Sequence, residues 1–74
     1  MTREEKIEII ADILEEDIEN INEENELTDY ENWDSVAILS VISVVSEKTG
    51  RFLHASEINK LITIGDLMEV LGNE

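Results

Sequence analysis

Hydrophobic residues recur at helical spacing in one long stretch near the middle of the chain. Four of them fall at positions i, i+3, i+4 and i+7 of a single helical face: Ile38, Val41, Ile42 and Val45. Asp34 and Ser35, just before this face, can each accept a hydrogen bond from the free N–H groups of a first helical turn. Gly50 permits the left-handed residue on which many helices end. The pattern predicts a helix over residues 35–50, with Ser35 exposed at its N-terminal end beside the apolar face.

A second amphipathic pattern opens the chain. Thr2 followed three residues later by Glu5 is a capping box, and it predicts a helix running to about Glu16. The apolar face of this helix is expected to carry Ile7, Ile10, Ala11, Leu14 and Ile18, widened by Ile9 and Ile13.

Residues 17–32 form an acidic stretch with few apolar residues, which is long for a connection in so small a domain. Four side chains are candidates to pin it to the core: Ile21, Leu27, Tyr30 and Trp33. We interpret Trp33 as a hydrophobic staple that sets the angle at which the chain enters the second helix. The alternative is that Trp33 shapes the surface around Ser35.

Beyond Gly50, Phe52 and Leu53 are expected to return the chain to the core. Ser56 is expected to start a short helical turn, and Thr63 with Asp66 caps a last helix that ends at Gly72. Its apolar face comprises Ile64, Leu67, Met68 and Leu71. The predicted fold class is all-α: a single domain over residues 1–74, with three main helices, one short helix and a long acidic loop between the first two.

Composition adds a strong charge asymmetry to this picture. The 74 residues carry a net charge of −14, and no Lys or Arg occurs between residues 7 and 47. Such a chain repels phosphate backbones and anionic lipids, so we expect neither a nucleic-acid nor a membrane partner. The acids form either an ordinary solvated surface or a face for basic partners. With no apolar run of membrane-spanning length and no signal peptide, we expect a cytoplasmic monomer.

The residues offer little for catalysis. The chain has no cysteine and one histidine, His54. These are too few residues of the types that bind metal ions or form a catalytic Ser-His pair. It has no glycine-rich phosphate loop and no EF-hand, although weak, diffuse binding of divalent cations to the acids is plausible. We therefore expect no enzyme, no catalytic residue and no specific metal site.

Trp33-Asp34-Ser35 and the helix to Gly50 resemble the acyl carrier protein family. The resemblance covers the whole chain: an amphipathic first helix, a long acidic loop, a serine-headed second helix, a short third and a capped fourth. The segment over residues 62–67 (Ile-Thr-Ile-Gly-Asp-Leu) resembles the one that opens the last helix of that family. The Asp-Ser pair alone is a weak signal, and the order of the elements strengthens it.

The resemblance implies a specific modification. The serine corresponding to Ser35 is attached by a phosphopantetheinyl transferase to 4′-phosphopantetheine from coenzyme A, and Asp34 would help that enzyme hold its metal ion. The arm carries acyl groups as thioesters for fatty-acid, polyketide or related biosynthesis, loaded by an acyl ligase or synthase with a basic docking surface. The residues agree in part, because a helix N-terminus favours an anion and a chain without cysteine has no thiol of its own.

The sequence also departs from the family pattern. Val36 follows the serine where a leucine is usual, and no acid occurs between Ser35 and Glu47 in the helix that partners usually read. The exposed face of that helix is expected to offer Ala37, Ser40 and Ser43. Partner-facing acids would then be Asp29, Glu31, Asp34, Glu47 or Glu57. A dedicated biosynthetic cluster is at least as good an expectation as housekeeping fatty-acid synthesis.

Three questions stay open at this point. The cargo could be an amino acid on a peptidyl or D-alanyl carrier rather than an acyl chain. The cargo could also lie in a groove lined by Val36 and Leu39, although an ordinary core explains those residues equally well. A hypothesis of another class is an unmodified acidic adaptor that binds a basic protein surface, in which Ser35 serves only as a helix cap.

Overall fold

The computed structural model describes residues 1–72, and helices dominate that part of the chain. The α-helices within it are α1 (Arg3–Leu14), α2 (Ser35–Thr49), α3 (Ala55–Ile58) and α4 (Ile64–Leu71). Two 3₁₀ helices, Ile18–Asn20 and Leu27–Asp29, lie in the acidic loop, and no β-strand occurs among the described residues. The predicted all-α fold of three main helices and one short helix is confirmed. Residues 73 and 74, the end of the domain predicted over 1–74, lie outside the described residues.

Helix α1 begins at the predicted capping box. The Glu5 N–H donates to Thr2 Oγ1 at 3.1 Å, and the Thr2 N–H donates to Glu5 Oε1 at 2.9 Å. The helix ends slightly earlier than predicted, because Glu15 takes a left-handed conformation with φ of 57°. The expectation that Ile18 lies on the apolar face of α1 is wrong: the chain has turned by then, and the side chain is 53% exposed.

Helix α2 buries a face centred slightly off the predicted stripe. Ala37, Val41 and Val45 are buried, whereas Ile38 and Ile42 are only partly buried. The expectation that Ala37 is exposed is therefore wrong. Apolar side chains cover most of the circumference of α2, so periodicity alone does not fix which of them meets the core. The predicted end at Gly50 is confirmed, with a left-handed φ of 77° that glycine adopts at little cost.

The acidic loop is held to the helices by both side chains and backbone. Leu27 and Tyr30 are buried, as predicted, while Ile21 and Trp33 are partly buried against the core. The Tyr30 hydroxyl donates to the Asn20 carbonyl at 2.7 Å, which ties the two ends of the loop together. The loop is therefore an ordered part of the fold.

Three backbone hydrogen bonds join this loop to the start of α4, and we call them the loop–α4 ladder. They are Leu27 N to Ile62 O at 2.8 Å, Ile64 N to Asn25 O at 2.9 Å, and Gly65 N to Glu23 O at 3.0 Å. A Cβ at Gly65 would lie 3.3 Å from the Glu23 oxygen, so glycine permits the close approach of the two backbones.

The segment between α2 and α4 agrees with the prediction in part. Leu53 is buried, but the expectation that Phe52 also returns to the core is wrong, because Phe52 is 71% exposed. The short helix α3 begins at Ala55, one residue before the predicted Ser56. Helix α4 has the predicted Thr63 cap and ends at Gly72. Its four predicted apolar residues are all buried and join α1, α2 and the loop in one core.

Candidate functional site

Ser35 is the first residue of α2 and is exposed, as the sequence predicts. The chain reaches it through a turn in which the Trp33 N–H donates to the Tyr30 carbonyl at 3.2 Å. Because Tyr30 is buried and anchored, this turn fixes where α2 starts. Ser35 therefore lies on the surface next to a turn that is anchored to the core.

Asp34, rather than Ser35, caps the helix. Its Oδ1 accepts hydrogen bonds from the Val36 N–H at 3.0 Å and the Ala37 N–H at 3.1 Å. The sequence left open which of the two polar residues performs this role, and the geometry assigns it to the aspartate. The Ser35 hydroxyl is then available for another purpose. Asp34 precedes Ser35 in the chain, and both residues are exposed and line the same groove.

A largely apolar groove of about 550 Å³ adjoins Ser35. Residues from α2, from the turn before it and from the α3 segment line this groove: Trp33, Asp34, Ser35, Ile38, Leu39, Ala55 and Asn59. It is open to solvent. A flexible apolar group attached at Ser35 would have a surface to lie against within reach of its point of attachment.

Trp33 belongs both to the core and to this groove. It is partly buried against the core, and it lines the groove together with Ile38, four positions into the helix from the cap. A residue before the cap that shares a surface with the fourth helical residue is the arrangement of a hydrophobic staple. The position of Trp33 is compatible with the staple interpretation and also with the alternative, that Trp33 shapes the surface around Ser35.

The exposed surface of α2 near Ser35 is apolar rather than charged. Val36 is 67% exposed and Leu39 is 63% exposed, while Ser43 is exposed and Ser40 partly buried. The five acids predicted to face partners are all exposed: Asp29, Glu31, Asp34, Glu47 and Glu57. Of these, Asp34 alone lines the groove beside Ser35.

His54 lies at the start of α3 and takes part in an aromatic contact. Its ring packs edge-to-face on Phe52, with ring centroids 5.3 Å apart and an interplanar angle of 88°. Its backbone N–H donates to Glu57 Oε2 at 3.1 Å. In the part of the chain that the structure describes, no group of three or more His, Cys, Asp or Glu side chains is arranged to hold a metal ion.

Two carboxyl groups have perturbed pKa values, and both belong to helix caps away from Ser35. The backbone N–H of Thr2 lowers the pKa of Glu5, and those of Thr63 and Ile62 lower the pKa of Asp66. Hydrogen bonds of this kind stabilise the ionised carboxylate. These shifts accompany the caps of α1 and α4, so they concern stability rather than chemistry at Ser35.

Sequence reasoning missed two residues of the site. Ala55 and Asn59 line the groove from the α3 segment, which no spacing in the sequence connects to Ser35. Of the two residues expected to line a groove, Leu39 lines the one beside Ser35 and Val36 does not.

No protein-family model matches the chain, and no curated protein or solved structure matches it at a significant level. Of the helices within residues 1–72, none is both long enough and apolar enough to cross a membrane.

Proposed function

We propose that this chain is an acyl carrier protein whose Ser35 hydroxyl is the attachment point for 4′-phosphopantetheine. One observation carries the proposal: Ser35 is exposed as the first residue of α2 while Asp34 performs the capping that a serine at this position could otherwise provide. When bound, the arm supplies a terminal thiol that holds acyl groups as thioesters. The chain would then be a substrate of other enzymes, acting in fatty-acid, polyketide or related biosynthesis in the cytoplasm.

The surroundings of Ser35 suit an attached phosphate. The N-terminal end of a helix dipole favours a negative charge. The amides of Val36 and Ala37 are already bonded to Asp34, so the dipole rather than those two donors provides the stabilisation. Forming the phosphodiester requires Ser35 Oγ to bond to the phosphorus that carries pantetheine in coenzyme A. The pyrophosphate P–O bond at that phosphorus breaks, adenosine 3′,5′-bisphosphate leaves, and the hydroxyl proton passes to a base on the transferase. The resemblance assigns Asp34 a part in holding the metal ion of that enzyme, and the exposure of Asp34 in the same groove as Ser35 is compatible with this role.

The groove beside Ser35 suits the cargo. Trp33, Ile38 and Leu39 give it an apolar lining, and it is open to solvent. An acyl chain would bury apolar surface there, at about 25 cal/mol per Å² removed from water. An amino acid, the alternative cargo, would gain much less from this lining. The groove therefore favours the acyl carrier over the peptidyl or D-alanyl carrier.

The test is the intact mass of the protein after incubation with coenzyme A, Mg²⁺ and a broad-specificity phosphopantetheinyl transferase. Wild type and Ser46→Ala, a matched exposed serine in the same helix, should each gain one phosphopantetheine group. Ser35→Ala should gain none while remaining folded by circular dichroism. Folded wild type that gains no group with two different transferases would contradict the proposal and leave an unmodified acidic adaptor as the better account.

A further inference from the structure

The asparagine side chains of this molecule are mostly used within the fold. The chain has six asparagines and no glutamine. Within residues 1–72, four of them make side-chain hydrogen bonds to the protein: Asn20, Asn22, Asn25 and Asn32. The side chain of Asn59 makes no hydrogen bond to the residues that the structure describes, and it is the asparagine that lines the groove beside Ser35.

The backbone of Asn59 is fixed although its side chain is exposed. Asn59 ends α3, and its N–H donates to the Ala55 carbonyl at 2.9 Å. The preceding residue, Ile58, is completely buried, so this end of α3 is anchored in the core. The Asn59 amide, which can donate two hydrogen bonds and accept two, is therefore held at the groove by an ordered backbone.

The other polar residues of the groove already have roles. The Asp34 carboxylate caps α2 through Val36 and Ala37, and Ser35 is the proposed attachment point. The remaining lining residues are apolar: Trp33, Ile38, Leu39 and Ala55. Asn59 is thus the lining residue whose amide is uncommitted among the described residues.

The 4′-phosphopantetheine arm has groups that match this amide. It contains two secondary amides, and a primary amide such as that of Asn59 can both donate to and accept from such a group. A single exposed hydrogen bond is weak between free molecules, because water competes for both partners. An arm attached to Ser35, in the same lining, is present at a high effective concentration, so the entropic cost of this bond is reduced.

We propose that Asn59 is a positioning residue for the arm, with its side-chain amide hydrogen-bonded to an amide of 4′-phosphopantetheine attached to Ser35. This inference rests on the proposed function. Two observations argue for the arm as the partner: its attachment point lines the same groove, and Asn59 offers an amide that the described fold does not use. The apolar side of the lining, from Trp33, Ile38 and Leu39, stays available to the acyl chain.

The first experiment compares the unmodified and modified forms of ¹⁵N-labelled wild type by NMR, with the extent of modification verified by intact mass. Because the chain has no glutamine, its side-chain amide signals come from six asparagines alone. We expect the Asn59 signals to shift on modification and to show a nuclear Overhauser effect to the unlabelled arm. The signals of Asn20, Asn22 and Asn25, which bond within the acidic loop or to α1-proximal residues, should stay unchanged.

The second experiment uses Trp33, the single tryptophan, as a reporter within the groove. An arm held there should lower the acrylamide quenching of Trp33 fluorescence in the modified form relative to the unmodified form. Asn59→Ala should lower the held population of the arm about fivefold, the size expected for one hydrogen bond, and so remove most of this difference. The control, Ser56→Ala, alters an exposed residue of α3 outside the lining and should behave as wild type.

Two results would overturn this role for Asn59 and leave Ser35 as the modification site. One is a fully modified wild type whose Asn59 signals are the same as in the unmodified form. The other is a modified, folded Asn59→Ala whose Trp33 is protected as well as in wild type, since apolar contacts alone would then hold the arm. Wild type that gains no arm would instead overturn the proposed function, and this inference with it.

Discussion

Two helix starts in this molecule, those of α4 and α2, are built in opposite ways. At α4 the Thr63 hydroxyl accepts the Asp66 N–H at 3.1 Å, and the Asp66 carboxylate accepts the N–H groups of Ile62 and Thr63. The loop–α4 ladder then covers the same end with backbone. At α2 one carboxylate, that of Asp34, provides the cap, and Ser35 is exposed.

The difference separates two uses of a hydroxyl at the beginning of a helix. The Thr63 hydroxyl accepts a backbone N–H at the start of α4, and this cap stabilises the fold. Ser35 sits one position later, after a residue that already caps, and its hydroxyl faces outward. The caps of α1, α2 and α4 follow the same capping rules, so a cap alone does not indicate function. What indicates function is a hydroxyl at a helix start that is exposed and does not serve as the cap, as at Ser35.

The largest expected effect comes from truncating Leu27, a core residue that holds the acidic loop against the start of α4. Leu27 is 1% exposed and its N–H donates to Ile62 in the loop–α4 ladder. Leu27→Ala should lower the free energy of unfolding by about 3 kcal/mol, through lost burial and the cavity left behind. Urea unfolding measures it, with exposed Thr28→Ala as the control. A loss no greater than that of the control would mean that the loop is not part of the cooperative core.

The next largest effect comes from removing each of the two hydroxyls, that of Thr63 and that of Ser35, in turn. Thr63→Ala should cost about 1 kcal/mol of stability, because it leaves the Asp66 N–H without its cap. Ser35→Ala should change stability by less than about 0.5 kcal/mol, since the side chain is exposed and does not cap. Modification should show the reverse order, persisting in Thr63→Ala and lost in Ser35→Ala. Thermal melts and intact masses of the same samples measure both. A larger loss of stability at Ser35 would show that the α2 start is also a structural cap.

A smaller effect tests the charge on the acidic loop. Between residues 7 and 47 the chain has acids and no Lys or Arg, so repulsion among these carboxylates opposes folding. Raising NaCl from about 0.02 to 0.5 M, or adding a few millimolar Mg²⁺, should raise the Tm by about 3 °C. A Tm that responds to neither would show that repulsion among the carboxylates does not limit the stability of this region. Its stability would then depend on hydrogen bonds such as the loop–α4 ladder.

The smallest effect follows from the lowered pKa of Asp66. Its carboxylate accepts two backbone N–H groups, so its pKa in the folded chain lies below the ordinary 3.8. The stabilisation is complete above the unfolded pKa and is lost as the pH falls through the folded one. The difference in Tm between wild type and Asp66→Asn should therefore be constant between about pH 7 and 5 and shrink below about pH 4. A difference that does not begin to shrink as the pH falls below the ordinary pKa of 3.8 would contradict the cap as the cause.

The helix ends were predictable because their signals are local. The Thr2–Glu5 and Thr63–Asp66 boxes and the left-handed Gly50 each depend on residues within one helical turn, and the structure confirms all three. The exposure of Ser35 follows from the same local reasoning.

Side-chain burial was harder to predict, since it depends on which elements meet. Ala37 is buried and Phe52 exposed, against expectation, because the packing of the other helices decides which part of α2 and of the α2–α3 connection is covered. Ala55 and Asn59 reach the site only through the position of α3. Asp12 lines a pocket together with Val36 and Ser40 only because α1 packs against α2. No pattern within one segment carries that information.

The central claim is that the Ser35 hydroxyl at the start of α2 is available for modification. The most direct test is to identify which residue is modified. Wild-type protein treated with coenzyme A, Mg²⁺ and the transferase is digested, and the peptide that carries phosphopantetheine is sequenced by mass spectrometry. We predict the arm on Ser35 and on neither Thr2 nor Thr63, whose hydroxyls accept backbone N–H groups at the starts of α1 and α4. An arm on either threonine, or on no residue of the folded chain, would contradict the account.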